Sequence, residues 1–94
     1  MAGDASILLI EDSDTQALLL ADMLQGGGMS VTRAANAEEA LEHLRSHRPD
    51  LVVVDQHLPG MQGTEFCRVM RENIATASIP LLILTGDTES GGER

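Results

Sequence analysis

Four residues in this sequence have the side-chain types that phosphoryl chemistry needs, and each stands directly after an apolar run. Glu11 and Asp12 follow Ile7-Leu8-Leu9-Ile10, Asp55 follows Leu51-Val52-Val53-Val54, and Thr85 follows Leu81-Leu82-Ile83-Leu84. Carboxylates brought close together repel, so a group of three needs a cation or raised pKa values. A hard ion that takes one or two carboxylates and keeps several waters is Mg²⁺. An aspartate beside such an ion can act as a nucleophile toward a phosphoryl group, forming an acyl phosphate. A threonine hydroxyl with nearby loop N–H groups can then donate to the phosphoryl oxygens. Transfer passes through a loose transition state, so positioning and charge neutralisation carry most of the catalysis.

These residues meet only if the surrounding elements bring them together. Each of the three runs is short and apolar on both faces, the pattern of a strand buried between layers in a parallel sheet. Helical patterns lie between them. Ala37, Ala40, Leu41 and Leu44 keep one face, with Glu38, Glu39, Glu42 and Arg45 opposite. Asn36 with Glu39 three residues on is a variant capping signature, so this helix is predicted to begin near Ala37. Pro49 breaks helicity before the next strand. An earlier helix is predicted over Asp14 to Gln25, ended by Gly26-Gly27-Gly28, then a weaker strand over Ser30 to Ala34. A third helix starts near Thr64 with Phe66, Val69 and Met70 inward, and Pro80 precedes the last run. The order β-α-β-α-β-α-β predicts a doubly wound α/β sheet with right-handed crossovers and helices on both faces. Such sheets bind ligands at the carboxyl ends of their strands, where Glu11, Asp12, Asp55 and Thr85 all fall.

The chain's size and charge set the frame. Ninety-four residues make one small domain, with residues 1–6 and 87–94 expected as flexible tails. Fifteen acidic residues stand against six basic ones, all arginine, and the net charge of −9 argues against a direct hold on nucleic acid or an anionic membrane. A single cysteine, Cys67, closes no internal disulfide, and no apolar run approaches a membrane span. A cytoplasmic domain is expected, and its start at Met1 close to the first strand suggests that the domain begins its protein.

Three segments resemble the receiver domain of two-component response regulators. They are Ile7-Leu-Leu-Ile-Glu-Asp-Ser-Asp14, Leu51-Val-Val-Val-Asp-Gln-His-Leu-Pro-Gly-Met-Gln-Gly63 and Ile79-Pro-Leu-Leu-Ile-Leu-Thr-Gly86. The resemblance implies a flavodoxin-like fold with strand order 2-1-3-4. It implies that Asp55 accepts phosphate from the phosphohistidine of a histidine kinase or phosphotransfer protein. Glu11 and Asp12 would form the acidic pair around Mg²⁺, with Asp55 and the backbone carbonyl of His57 as further ligands. Thr85 would be the switch hydroxyl, and Gln56, His57 and Gly86 would complete the phosphoryl-binding set. Such a domain catalyses its own phosphorylation and hydrolysis without acting on an outside substrate, and can sit within a hybrid kinase or an effector protein.

The sequence departs from that family in stopping soon after Thr85. The family continues with a helix, a fifth strand and a last helix, and the fifth strand carries a lysine and an aromatic switch residue. No lysine occurs in this chain, and its one aromatic is Phe66. Ala17, Leu20, Ala21 and Leu24 already supply one inward stripe of the first helix, and Leu18, Leu19 and Met23 widen it beyond what one sheet face requires. The fourth strand is expected to be an exposed apolar edge. The chain is therefore expected to continue beyond Arg94 or to cover these surfaces by self-association. Two other functions compete with the phosphoacceptor. One is a non-phosphorylated pseudo-receiver serving as a dimerisation or docking module. The other, weaker, is a phosphatase-like enzyme, which would want an aspartate where His57 stands. Asp14 is read as a helix-start charge, His43 and His47 as lacking ligand geometry, and Cys67 as a packing residue. Met23, Met29, Met61 and Met70 are read as core or loop fillers.

Overall fold

The computed structural model describes residues 5–85. The elements run β1 (Ser6–Ile10), α1 (Asp14–Gly26), β2 (Ser30–Ala34), α2 (Ala37–Leu44), β3 (Leu51–Asp55), β4 (His57–Leu58), β5 (Met61–Gln62), α3 (Gly63–Glu72) and β6 (Leu81–Leu84). The main sheet is parallel with order β2-β1-β3-β6, the 2-1-3-4 arrangement expected from the sequence. β4 and β5 form a small antiparallel hairpin. Its Pro59-Gly60 corner holds Gly60 at φ +80°, the conformation that favours glycine at the third position of a type II turn.

Alternation along the strands assigns the two faces. Leu8, Ile10, Val52 and Val54 point to the side covered by α2 and α3, where they are buried with Ala40, Phe66, Met70 and Ile79. Ile7, Leu9 and Val53 point the other way, against Ala17 of α1. Both faces of β1 and β3 are covered, which is why their sequences are continuously apolar. β1 begins at Ser6, inside the stretch expected as an N-terminal tail, and the Ser6 N–H donates to Asp50 Oδ2 at 2.8 Å. Gly86 and the expected tail at 87–94 lie outside the described residues.

Local signals set the helix ends. Ser13 caps α1 by accepting from the Gln16 N–H at 3.2 Å. Asn36 caps α2 by accepting from the Glu39 N–H at 2.9 Å, and Glu39 Oε1 accepts in return from the Ala35 N–H at 2.8 Å. Leu20, Ala21 and Leu24 pack against the sheet, while Leu18, Leu19 and Met23 are 71%, 57% and 72% exposed. Met23 is thus no filler of core or loop. Leu82 of β6 is also exposed, so the apolar edge expected there is present among the described residues. His43 and His47 stack face to face with ring centroids 4.3 Å apart, and burial, with His47 alongside, holds His43 below the usual histidine pKa.

Candidate functional site

β1 and β3 lie side by side, with Ile10 level with Val54. The residues that follow each strand therefore emerge at one edge of the sheet. Glu11, Asp12 and Asp55 each place a carboxylate oxygen there, all within 4.8 Å of one another. Glu11 is 5% exposed, Asp55 half-buried and Asp12 exposed. Burial pushes the Glu11 carboxyl above its ordinary pKa, the Ser13 N–H pulls it back, and the charges of Asp55 and Asp12 raise it again. Such a set of hard oxygen donors with uncompensated charge suits a divalent cation of the Mg²⁺ class.

Around this cluster lies a cleft of about 490 Å³, lined by Glu11, Asp55, His57, Leu84 and Thr85 together with Gln16 and Leu20 of α1. Leu84 pairs with Asp55 across the β3–β6 ladder, so Thr85 comes next to the acidic edge. The structure thus brings Glu11, Asp12, Asp55, His57 and Thr85 together. The His57 N–H donates to Asp55 Oδ1 at 3.2 Å, which orients that carboxylate.

Gln56 is committed elsewhere. Its N–H donates to Leu84 O at 2.9 Å, and its side-chain Oε1 accepts from the Thr64 N–H at 3.0 Å. These bonds tie Gln56 to β6 and to the first turn of α3. Its bond to Thr64 serves an otherwise uncapped helix, since Gln62 at the start of α3 makes no side-chain cap. Gln16 and Leu20 escaped sequence reasoning because α1 positions carry no chemical signature until the helix is laid over the sheet. Gly63 has a comparable tertiary role. A Cβ there would sit 3.0 Å from Gln56 Cα and 3.1 Å from Asp55 O, so any larger residue would push the backbone carrying Asp55 by a few tenths of an ångström. Gly63→Ala is expected to cost about 1–3 kcal/mol through overpacking and to displace Asp55. Chemical denaturation and a Mg²⁺ titration of the same variant measure the two effects.

The family model of the response regulator receiver domain matches residues 7–91. This chain belongs to that family. The receiver domain is 31% identical over 89 residues to the polar-differentiation response regulator DivK of Brucella anthropi, covering 95% of this chain and 72% of that protein. It is 37% identical over 84 residues to the DNA-binding response regulator MtrA of Mycolicibacterium smegmatis, covering 89% of this chain and 36% of MtrA. The chain thus spans about a third of the length of that relative. Among solved structures, the receiver domain of the sensor histidine kinase PA1611 from Pseudomonas aeruginosa superposes with a TM-score of 0.84 at 27% identity. That match covers 95% of this chain and 73% of the other, which holds a magnesium ion in its active site cleft. No helix among the described residues is long and apolar enough to cross a membrane.

Proposed function

We propose that this receiver domain accepts a phosphoryl group on Asp55, with Mg²⁺ held by Glu11, Asp12, Asp55 and the backbone carbonyl of His57. The observation that carries this reading is the convergence of three carboxylates within 4.8 Å at the carboxyl edge of a parallel sheet. The donor is a phosphohistidine on a histidine kinase or phosphotransfer protein, and the domain works in the cytoplasm. An Asp55 carboxylate oxygen attacks phosphorus, and the P–N bond breaks with its electron pair returning to the imidazole, which takes a proton from solvent. The product is a mixed anhydride on Asp55, later hydrolysed by water. When bound by these residues, Mg²⁺ would supply charge neutralisation for the phosphoryl oxygens and the acidic cluster. Thr85 donates its hydroxyl to a phosphoryl oxygen, and the His57 N–H, which now orients Asp55, turns to the same group. Gly86 contributes to that binding set. The turnover is confined to the domain's own phosphorylation and hydrolysis.

The test is incubation with a small-molecule phosphodonor, acetyl phosphate, and Mg²⁺. The expected product gains one phosphoryl group by intact mass and loses it on treatment with hydroxylamine, as an acyl phosphate does. A folded protein that takes up none would overturn the reading and favour the docking module.

Glu11 adds a prediction with a definite sign. Its raised pKa means that its protonated form is favoured by folding. The stability this contributes is full below the unfolded value of 4.5 and is lost as pH rises through the raised folded value. Glu11→Gln keeps an oxygen for the Ser13 N–H but carries no charge. In chelator at pH 7 it is expected to melt at a higher temperature than the unmodified protein, and to gain nothing from added Mg²⁺. Melting curves between pH 4 and 8, with and without Mg²⁺, check both halves.

A further inference from the structure

We propose that Arg33 is a positioning residue that sets the cation affinity of the acidic edge by pinning the main chain of Glu11; this rests on the Mg²⁺ site proposed above. The β1–β2 ladder ends at Ile10 and Ala34. One residue further, the Glu11 N–H still donates to Ala34 O at 3.0 Å. The Glu11 carbonyl, beyond the last paired residue of β1, is taken by a side chain instead. Arg33 Nε donates to it at 2.9 Å and Nη2 at 2.8 Å, while Nη1 donates to Asp14 Oδ1 at 2.8 Å. With the Ser13 N–H on Glu11 Oε2 at 3.1 Å, the turn from Glu11 to Asp14 is tied at both ends, with Asp12 between the ties.

A pinned turn holds both acidic ligands in place before the cation arrives, which lowers the ordering cost of binding. Two features single out the bonds to the carbonyl. The Arg33 side chain is 30% exposed, but Asp14 is 93% exposed, so the ion pair is solvated and weak. The guanidinium also delivers two donors to one oxygen and a third to a carboxylate, a geometry that lysine, with a single point charge, does not reproduce. The fork crosses 22 positions of sequence, linking an edge strand to the strand-end acids.

The experiment compares Mg²⁺ dissociation constants of the unmodified protein, Arg33→Met, Arg33→Lys and Asp14→Asn by calorimetry, with the melting temperature of each in chelator. Removing a positive charge beside three carboxylates tightens cation binding by itself, so the direction of change separates the two effects. Loss of the pin is expected to weaken Mg²⁺ binding of Arg33→Met about 10-fold, the scale for residues that orient metal ligands. Arg33→Lys, which restores the charge, is expected to stay several-fold weaker than the unmodified protein, and Asp14→Asn to lie within about twofold of it. Binding by Arg33→Met that is equal or tighter overturns the proposal. Should Arg33→Met fail to fold, Arg33→Lys decides, and an unchanged constant there overturns it. If the unmodified protein binds no Mg²⁺, the proposed site falls and this inference falls with it. If that protein binds and the Arg33 variants match it, the role of Arg33 alone is excluded.

Discussion

Asp55→Asn is expected to gain no thermal stability from Mg²⁺ plus beryllofluoride, a mimic of the aspartyl phosphate, and to take up no phosphate from acetyl phosphate. The unmodified protein, at a 100-fold excess of ligand over its dissociation constant, gains about 2.7 kcal/mol, a rise of roughly 10–20 °C for a domain of this size. Asparagine keeps the shape of the side chain and can still accept from the His57 N–H, the bond now seen at 3.2 Å. It removes the anionic oxygen that attacks phosphorus and one of the three cation donors. The fold does not depend on that charge, so the variant should melt cooperatively in chelator. Circular dichroism follows the melt, since the chain contains no tryptophan or tyrosine for fluorescence. Phosphate uptake by Asp55→Asn would place the acceptor on another residue.

Phe66→Ala is expected to carry the largest stability loss. Phe66 is the one aromatic side chain of the protein and is fully buried between α3 and the sheet, in one cluster with Leu8, Ile10, Val52, Val54 and Met70. Removing a buried phenylalanine ring costs about 3–5 kcal/mol, part transfer energy and part cavity. A domain of 94 residues has about 5–14 kcal/mol in total, so the variant should melt about 15 °C lower or more. Phe66→Leu should recover much of that loss. Because Phe66 and Gly63 lie on the same helix, binding of Mg²⁺ plus beryllofluoride to Phe66→Ala below its melting point shows whether a loosened α3 still supports Asp55. Melting of Phe66→Ala at the unmodified temperature would mean that the sheet face under α2 and α3 does not depend on the ring.

Much of this protein was legible in its residues taken in order. Buried parallel strands must be apolar on both faces, so β1 and β3 read as unbroken runs, while β6 is an equally apolar run that lies at the sheet edge; each run is followed by an acid or a hydroxyl. Capping depends on neighbours three positions apart, so Asn36 with Glu39 marks the start of α2 without reference to the rest of the chain. The apolar excess of α1 was also visible, because a stripe wider than one sheet face shows in the helical spacing. What the tertiary structure alone decided is every contact between residues distant in sequence. Arg33 reads as one more polar residue on a strand until β2 lies against β1 and brings its guanidinium to the Glu11 carbonyl. Nothing beside Gln56 in the sequence shows that its side-chain oxygen accepts from Thr64 at the start of α3. Gly63 carries no signal of its packing role until the chain at Asp55 and Gln56 passes within reach of its missing Cβ. Local chemistry in the sequence named the residues that act. Packing across long separations determined which residues hold them in place, because such contacts leave no periodic or neighbouring signal in the chain.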